Sequence, residues 1–177
     1  MVGKILEEIK ASLVNIDLHE ASYEQNGYHL SVEVQNGNSP EVAKFFKDKM
    51  FYLEDMFCVD YIDYLELVYF FNRYRELCRI KVTLKVDVAK PVASTISHIY
   101  TIARWYEREV HEFFGVYFDG HPNLTYLFLH DGIDHYPLRK KAVPVPDEDK
   151  KLLNSFKPQE EEDAFFVNLG PQHPSTH

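Results

Sequence analysis

Apolar residues recur along this chain with two different periods, and the changes of period mark out its elements. Val2, Ile5, Leu6, Ile9 and Leu13 have the spacing of a helix with one buried face. Residues 18–24 switch to alternation, Gln25-Asn26-Gly27 is a turn signal, and Tyr28, Leu30, Val32 and Val34 then alternate with His29, Ser31 and Glu33. This predicts a hairpin with one face in the core. Asn36-Gly37-Asn38-Ser39-Pro40 breaks the pattern, and Pro40 suits the opening of a helix over about 41–51 that carries Val42, Phe45, Phe46 and Met50. Residues 64–72 predict a strongly apolar strand. Residues 77–87 alternate most regularly: Cys78, Ile80, Val82, Leu84 and Val86 share one face, and Arg79, Lys81, Thr83 and Lys85 the other. The two strands are expected to pair antiparallel through the loop at 73–76, and Pro91 ends the strand region.

A helical period returns from about Thr95 to Phe114, through Ile96, Ile99, Ala103, Tyr106, Val110 and Phe113. Ser94 or Thr95 is positioned to cap its start, and Gly115 to stop it. Beyond Tyr117 the periodicity dissolves, apart from a possible short strand at 126–129. From Ala142 onward Pro144, Pro146, Pro158 and the acidic run Glu160-Glu161-Glu162-Asp163 describe an extended tail. Such a tail reads either as disorder or as a segment ordered only on a partner's surface, and its apolar points (Leu152, Leu153, Phe156, Phe165, Phe166 and Val167) favour the second. Strands and helices follow one another without βαβ alternation. The expected class is therefore α+β, with a mixed or antiparallel sheet, helices on one side and an extended C-terminal tail.

Composition narrows the partners. A length of 177 residues suits one domain with a single core, and a net charge of −9 argues against nucleic acid and against adsorption to anionic lipid. No run of about 18 apolar residues suggests a spanning helix. The first residues lack the long apolar core and cleavage site of a signal peptide. A cytoplasmic protein is expected, reaching a membrane only through other subunits. Tyr and Phe, at 12 and 13 copies, suit a core first and a large interface second. Cys58 and Cys78 stand apart with no CxxC, which is no iron–sulfur or zinc pattern, and both read as reduced core thiols.

Candidate chemistry is sparse. No phosphate-binding glycine loop, GxSxG or HExxH occurs. His130-Asp131 and Asp134-His135 form a small cluster with no standard metal spacing. Glu107-Arg108-Glu109 is the densest charge group on an expected helix. It reads as a solvated face with an Arg108–Glu112 pair, as a set of interfacial ion pairs, or as a source of a catalytic carboxylate. Pro137-Leu138-Arg139-Lys140 reads as a turn with two surface cations, or as a loop in which Arg139 anchors a partner's carboxylate.

Taken in order, these two motifs resemble a known signature. Glu107-Arg108-Glu109, then Glu112, Phe113-Phe114, Gly115 and Gly120-His121-Pro122, followed by Pro137-Leu138-Arg139-Lys140, is similar to the C subunit (30-kilodalton subunit) family of respiratory NADH:quinone oxidoreductase, or complex I. Two departures occur: Thr125-Tyr126 where the family usually has a basic residue, and Lys141-Ala142 where it has an acidic-aromatic pair. The resemblance implies a non-catalytic, cofactor-free scaffold in the hydrophilic arm. Quinone, NADH, FMN and iron–sulfur clusters would belong to the whole complex. The implied partners are the D-type subunit and the iron–sulfur subunits, at the cytoplasmic face of the cell membrane as a peripheral component. Glu107, Arg108, Glu109, Gly115, His121, Pro122, Pro137, Leu138, Arg139 and Lys140 become structural or interfacial residues.

Residues 168–177, ending Gln172-His173-Pro174-Ser175-Thr176-His177, resemble the opening of the D subunit. The resemblance implies that His177 would hydrogen-bond the quinone headgroup in a complete complex. The expected organisation is a C-subunit-like domain at 1–141, a docking tail or linker at 142–167, and a D-subunit-like fragment at 168–177, as in a C–D fusion. An alternative places the chain as the equivalent subunit of a membrane-bound energy-converting hydrogenase or ferredoxin-linked complex, with Leu129-His130-Asp131-Gly132 pointing that way. A third hypothesis is a stand-alone enzyme using Glu107, Glu109 and His111, but no oxyanion donor or cofactor motif accompanies them.

Overall fold

The computed structural model describes residues 2–74, 77–130, 133–141 and 143–144. Helix α1 (Val2–Ser12) leads to β1 (Ile16–Glu20), a single helical turn α2 (Tyr23–Asn26) and β2 (Leu30–Val34). Helix α3 (Ser39–Asp48) follows, then β3 (Tyr52–Asp60), β4 (Tyr64–Asn72), β5 (Ile80–Asp87), β6 (Val92–Ser94), α4 (Ala103–Phe114) and β7 (Tyr117–Asp119). The main sheet runs β1-β2-β5-β4-β3, and β6 and β7 form a second, two-stranded sheet. Pairing is antiparallel except for β2 with β5 and β6 with β7. The α+β expectation with a mixed sheet is met.

Register explains the core. Leu65, Leu67, Tyr69 and Phe71 of β4 lie opposite Val86, Leu84, Val82 and Ile80 of β5. Leu30, Val32 and Val34 of β2 continue the same rows. Period 2 therefore delivers one continuous apolar face. Ile5, Leu6 and Ile9 of α1, Val42, Ala43 and Phe46 of α3, and Ala103 and Val110 of α4 join these strand residues in one buried cluster. Phe46 stacks on Phe71 with ring centroids 4.8 Å apart and meets Phe51 edge-on at 5.2 Å. On the opposite face, Val68 and Thr83 are also buried. Long side chains cover that face: the Arg79 guanidinium lies 4.1 Å from the Phe70 ring centroid and the Lys85 ammonium 5.5 Å from that of Tyr64.

Several expectations change. The hairpin at 16–34 forms, but α2 makes its connection. Helix α3 ends at Asp48, and Met50, expected on its apolar face, has φ +63° and is exposed. The strand β3 was not expected. Its alternation is interrupted by a register shift between Leu53 and Asp55, which hides the period. The long helix expected from Thr95 starts only at Ala103. Residues 96–102 instead form successive turns, with Ile99 and Tyr100 N–H both donating to Ile96 O. Neither Ser94 nor Thr95 caps the helix, because the Thr95 hydroxyl donates to the buried Glu107 carboxylate. No strand forms at 126–129.

Candidate functional site

Helix α4 organises the charged motif. Successive helical residues point about 100° apart, so Glu107, Arg108 and Glu109 face three different surroundings. Glu107 is fully buried, Arg108 half-buried and Glu109 exposed.

Glu107 ties the segment before α4 to the helix. Its Oε1 accepts the Ile96 N–H at 2.8 Å and its Oε2 the Thr95 hydroxyl. No cation forms a hydrogen bond to it among the described residues. Burial pushes its carboxyl up to about 7, against the lowering effect of Thr95 and Ile96. The His121 ring lies alongside, with Nε2 3.8 Å from Glu107 Oε2 and the two side chains 1% and 0% exposed. His121 Nδ1 accepts the Asn123 N–H at 3.0 Å, so the remaining ring proton of the neutral form sits on Nε2, 3.3 Å from Arg104 O. Burial also lowers the His121 pKa, which keeps the ring neutral. The first Glu of Glu-Arg-Glu and the His of Gly-His-Pro thus meet inside the domain.

Arg108 and Glu112 do not pair with each other as the surface reading had it. Both hold the loop 125–129. Arg108 donates to Thr125 O at 2.6 Å, Thr125 Oγ1 at 2.8 Å and Tyr126 O at 2.8 Å. The Glu112 carboxylate, fully buried, accepts the N–H groups of Leu127 at 2.8 Å, Phe128 at 3.1 Å and Leu129 at 3.3 Å. A cation takes the carbonyls and an anion takes the amides of one short loop. This satisfies backbone groups that would otherwise be paired in a strand. His111, one turn after Glu107, is buried with Nδ1 2.9 Å from Val116 O. Glu107 and His111 therefore look inward while Glu109 looks out, and the three do not converge on one cleft.

Gly115 ends α4 with φ +75°, and a Cβ there would lie 2.5 Å from the Tyr136 ring. Both the left-handed backbone and the close ring require glycine. The next motif packs on the same helix end: Leu138 N–H donates to Phe113 O at 3.2 Å. Arg139 departs from expectation. Its guanidinium is not presented to a partner but buried, donating to Phe114 O at 3.0 Å and Val88 O at 3.3 Å. Its Nε lies 3.2 Å from Asp60 Oδ2, with both side chains 4% exposed. Asp60 also accepts the Lys140 N–H at 3.0 Å and the Ile62 N–H at 2.6 Å. Burial disfavours its charge, but these hydrogen bonds and the nearby Arg139 and Lys140 charges outweigh that and hold its pKa below the usual range. Pro122, Pro137, Leu138 and Lys140 are at the surface.

Cys58 and Cys78 are both buried, and burial pushes the Cys58 thiol up to about 12. His135 Nδ1 lies 2.7 Å from Asp134 Oδ1 at the surface, while Asp131 of that cluster is outside the described residues. Among the described residues no three His, Cys, Asp or Glu side chains gather as a metal site, and no helix is long and apolar enough to cross a membrane. The tail expected at 142–167, apart from Val143 and Pro144, and the 168–177 segment with His177 lie outside the described residues. Sequence reasoning did not find Asp60 or the pairing of Glu112 with loop 127–129. An Asp before a turn is too common a signal, and a carboxylate 15 residues before its amides leaves no local pattern.

A family profile described as "Respiratory-chain NADH dehydrogenase, 30 Kd subunit" matches residues 32–148. Among similar proteins, the C/D subunit of NADH-quinone oxidoreductase from Yersinia pestis (strain Pestoides F) is 38% identical over 104 aligned residues, covering 48% of this chain and 17% of the relative. The C/D subunit from Yersinia enterocolitica serotype O:8 / biotype 1B (strain NCTC 13174 / 8081) matches with the same identity and coverage. This chain thus spans about one-sixth of the length of these relatives. Among solved structures, the trypsin-resistant fragment of Nqo5 is 25% identical with TM-score 0.59, covering 70% of this chain and all of the fragment. A chain of the membrane-bound sulfane sulfur reductase (MBS), an archaeal respiratory membrane complex, has the same fold, with TM-score 0.70, 23% identity and coverage of 93% and 98%.

Proposed function

Because this chain belongs to the respiratory-chain NADH dehydrogenase 30 Kd subunit family, we propose that it is a structural subunit in the hydrophilic arm of a proton-translocating NADH:quinone oxidoreductase, without a catalytic centre of its own. One observation carries the reading: the buried charged residues of its signature hold the domain together. Glu107, Glu112 and Arg139 are buried and bonded to this chain's own backbone. Such groups set a shape and leave no acid, base or electrophile facing a substrate. The complex, not this chain, would carry quinone, NADH, FMN and iron–sulfur clusters. The companions would be the D-type and iron–sulfur subunits, at the cytoplasmic face of the membrane. In the complete complex His177 would hydrogen-bond the quinone headgroup. Of the signature, Glu109, Pro122, Pro137, Leu138 and Lys140 keep the exposure an interface needs.

Purification of the native complex through an affinity tag on this chain tests the reading. Flavin and iron should accompany companion subunits, and the chain released by denaturation and refolded should be colourless. Stoichiometric iron or flavin on this chain alone would overturn it. The second reading is the equivalent subunit of an energy-converting hydrogenase or ferredoxin-linked complex, favoured by Leu129-His130-Asp131-Gly132 before the Pro-Leu-Arg-Lys motif. A co-purifying large subunit with paired nickel-binding CxxC motifs would select it.

A further inference from the structure

The outer stripe of α4 is apolar where a solvated helix would be polar. Trp105 is 56% exposed and Ile102, at the helix start, 46%. Glu109 is exposed and Phe113 half-buried. Residues 102, 105, 109 and 113 share one helical face. The loop beside it adds Phe128, 69% exposed, whose ring stacks on Phe113 at 6.3 Å. Phe128 is not a loose surface aromatic. Its own N–H is held by Glu112, and its loop by Arg108, whose guanidinium also lies 5.4 Å from the Trp105 ring centroid. Two buried or half-buried charges are thus committed to presenting an aromatic to the outside.

The charge pattern says what fits there. Glu109 has no ion-pair partner among the described residues, and Asp55 of β3 bonds only the adjacent Met56 N–H. Burial first, then the Glu112 and Asp55 charges, raise the Glu109 pKa, and the Arg108 charge near this group is felt at Glu112. Arg108 is committed to the loop, and Arg104 sits on another flank, where its charge is felt at His121. Covering this stripe with a purely apolar surface would bury Glu109 uncompensated, which is costly. Complementary charge across the contact removes that cost.

We infer that the outer stripe of α4 is a docking surface for a second subunit that offers an apolar pocket to Trp105 and Phe128 and a lysine or arginine to Glu109. This rests on the subunit reading above and specifies which face is used. The exposed aromatics Phe57 in β3 and Tyr61 at the β3–β4 turn are then outside the contact.

The test is hydroxyl-radical footprinting of the whole chain, alone and in the purified native complex, read by mass spectrometry. Trp105 and Phe128 should be oxidised at least fivefold more slowly in the complex, with Tyr61 changed less than twofold. Chains carrying Glu109→Gln, Glu109→Lys or Trp105→Ala are expressed beside the tagged wild type. Glu109→Lys and Trp105→Ala should lower incorporation at least tenfold and Glu109→Gln by less, while the isolated variants keep the wild-type melting temperature. Equal oxidation of Trp105 in both states overturns the inference. So does protection already present in the isolated chain, which would mean that residues 145–177 cover the stripe. A concentration-dependent dimer lost on Trp105→Ala would assign the face to a second copy and also overturn it. If the tagged chain enters no complex, the subunit reading itself fails.

Discussion

Arg139 and Asp60 meet across 79 residues of sequence to form a buried ion pair, each side chain 4% exposed. Removing one member leaves a buried charge unpaired, which costs about 3–5 kcal/mol. Arg139→Ala should therefore unfold at clearly lower urea concentration than wild type, and Arg139→Lys, lacking the planar fork that reaches both carbonyls, should recover only part. An unchanged midpoint for Arg139→Ala would return the residue to the surface role that its sequence context suggests. Glu107 makes a second residue-scale prediction. Its folded pKa of about 7 stands above its ordinary 4.5. The folded state thus binds the extra proton between these values, and stability from this group is greatest below about 4.5 and falls as pH rises through 7. Glu107→Gln keeps the acceptor for Ile96 without the charge. The difference in stability between variant and wild type should move in the variant's favour as pH rises from 5 to 8, by an amount on the order of a few kcal/mol. A pH-independent difference in urea denaturation would show that Glu107 does not titrate there.

At the scale of elements, α4 works through what it holds. Glu112→Ala should free the amides of Leu127, Phe128 and Leu129, and their hydrogen-exchange protection should collapse while that of β4 and β5 persists. Glu112→Gln should retain part of it, since one oxygen still accepts. Protection unchanged in the alanine variant would mean the loop is held by other contacts. Gly115→Ala combines a strained backbone with a methyl 2.5 Å from the Tyr136 ring, so about 1–3 kcal/mol should be lost. Pairing it with Tyr136→Ala should relieve the steric part and leave the backbone part, a distinction readable in a double-mutant cycle.

At the scale of the molecule, one core serves both sheet and helices, so its thiols report on global unfolding. Cys58 sits on the inner face of β3 with its thiol raised to about 12, and Cys78 is equally enclosed before β5. An aromatic disulfide reagent at pH 8 should label neither in the native chain and both in denaturant. Rapid labelling of one without denaturant would place a local opening at that strand. The net charge of −9 keeps the surface averse to polyanions, and within the same logic the lone Glu109 on the otherwise apolar outer stripe of α4 fits a companion that brings one cation.

Period and punctuation in the chain were enough for α1, the β1–β2 hairpin, α3, β4 and β5. In those elements each residue's side is decided by its neighbours two or four positions away. The same local logic put Gly115 at the end of α4, because a left-handed terminus favours glycine whatever packs on it. The motifs Glu107-Arg108-Glu109 and Pro137-Leu138-Arg139-Lys140 were legible as a family signature, but their physical meaning was not. Which of three adjacent charges is buried depends on the loop that α4 meets, and that Arg139 finds Asp60 depends on the sheet bringing β3 beside the end of α4. The short β6 and β7, the bulged β3 and the late start of α4 were likewise decided by contacts more than ten residues away, such as Ile96 and Thr95 on Glu107. A buried charge is stabilised by partners gathered in space, whereas hydrophobic periodicity is written in neighbours along the chain. That difference separates what this sequence determined by itself from what its tertiary structure decided.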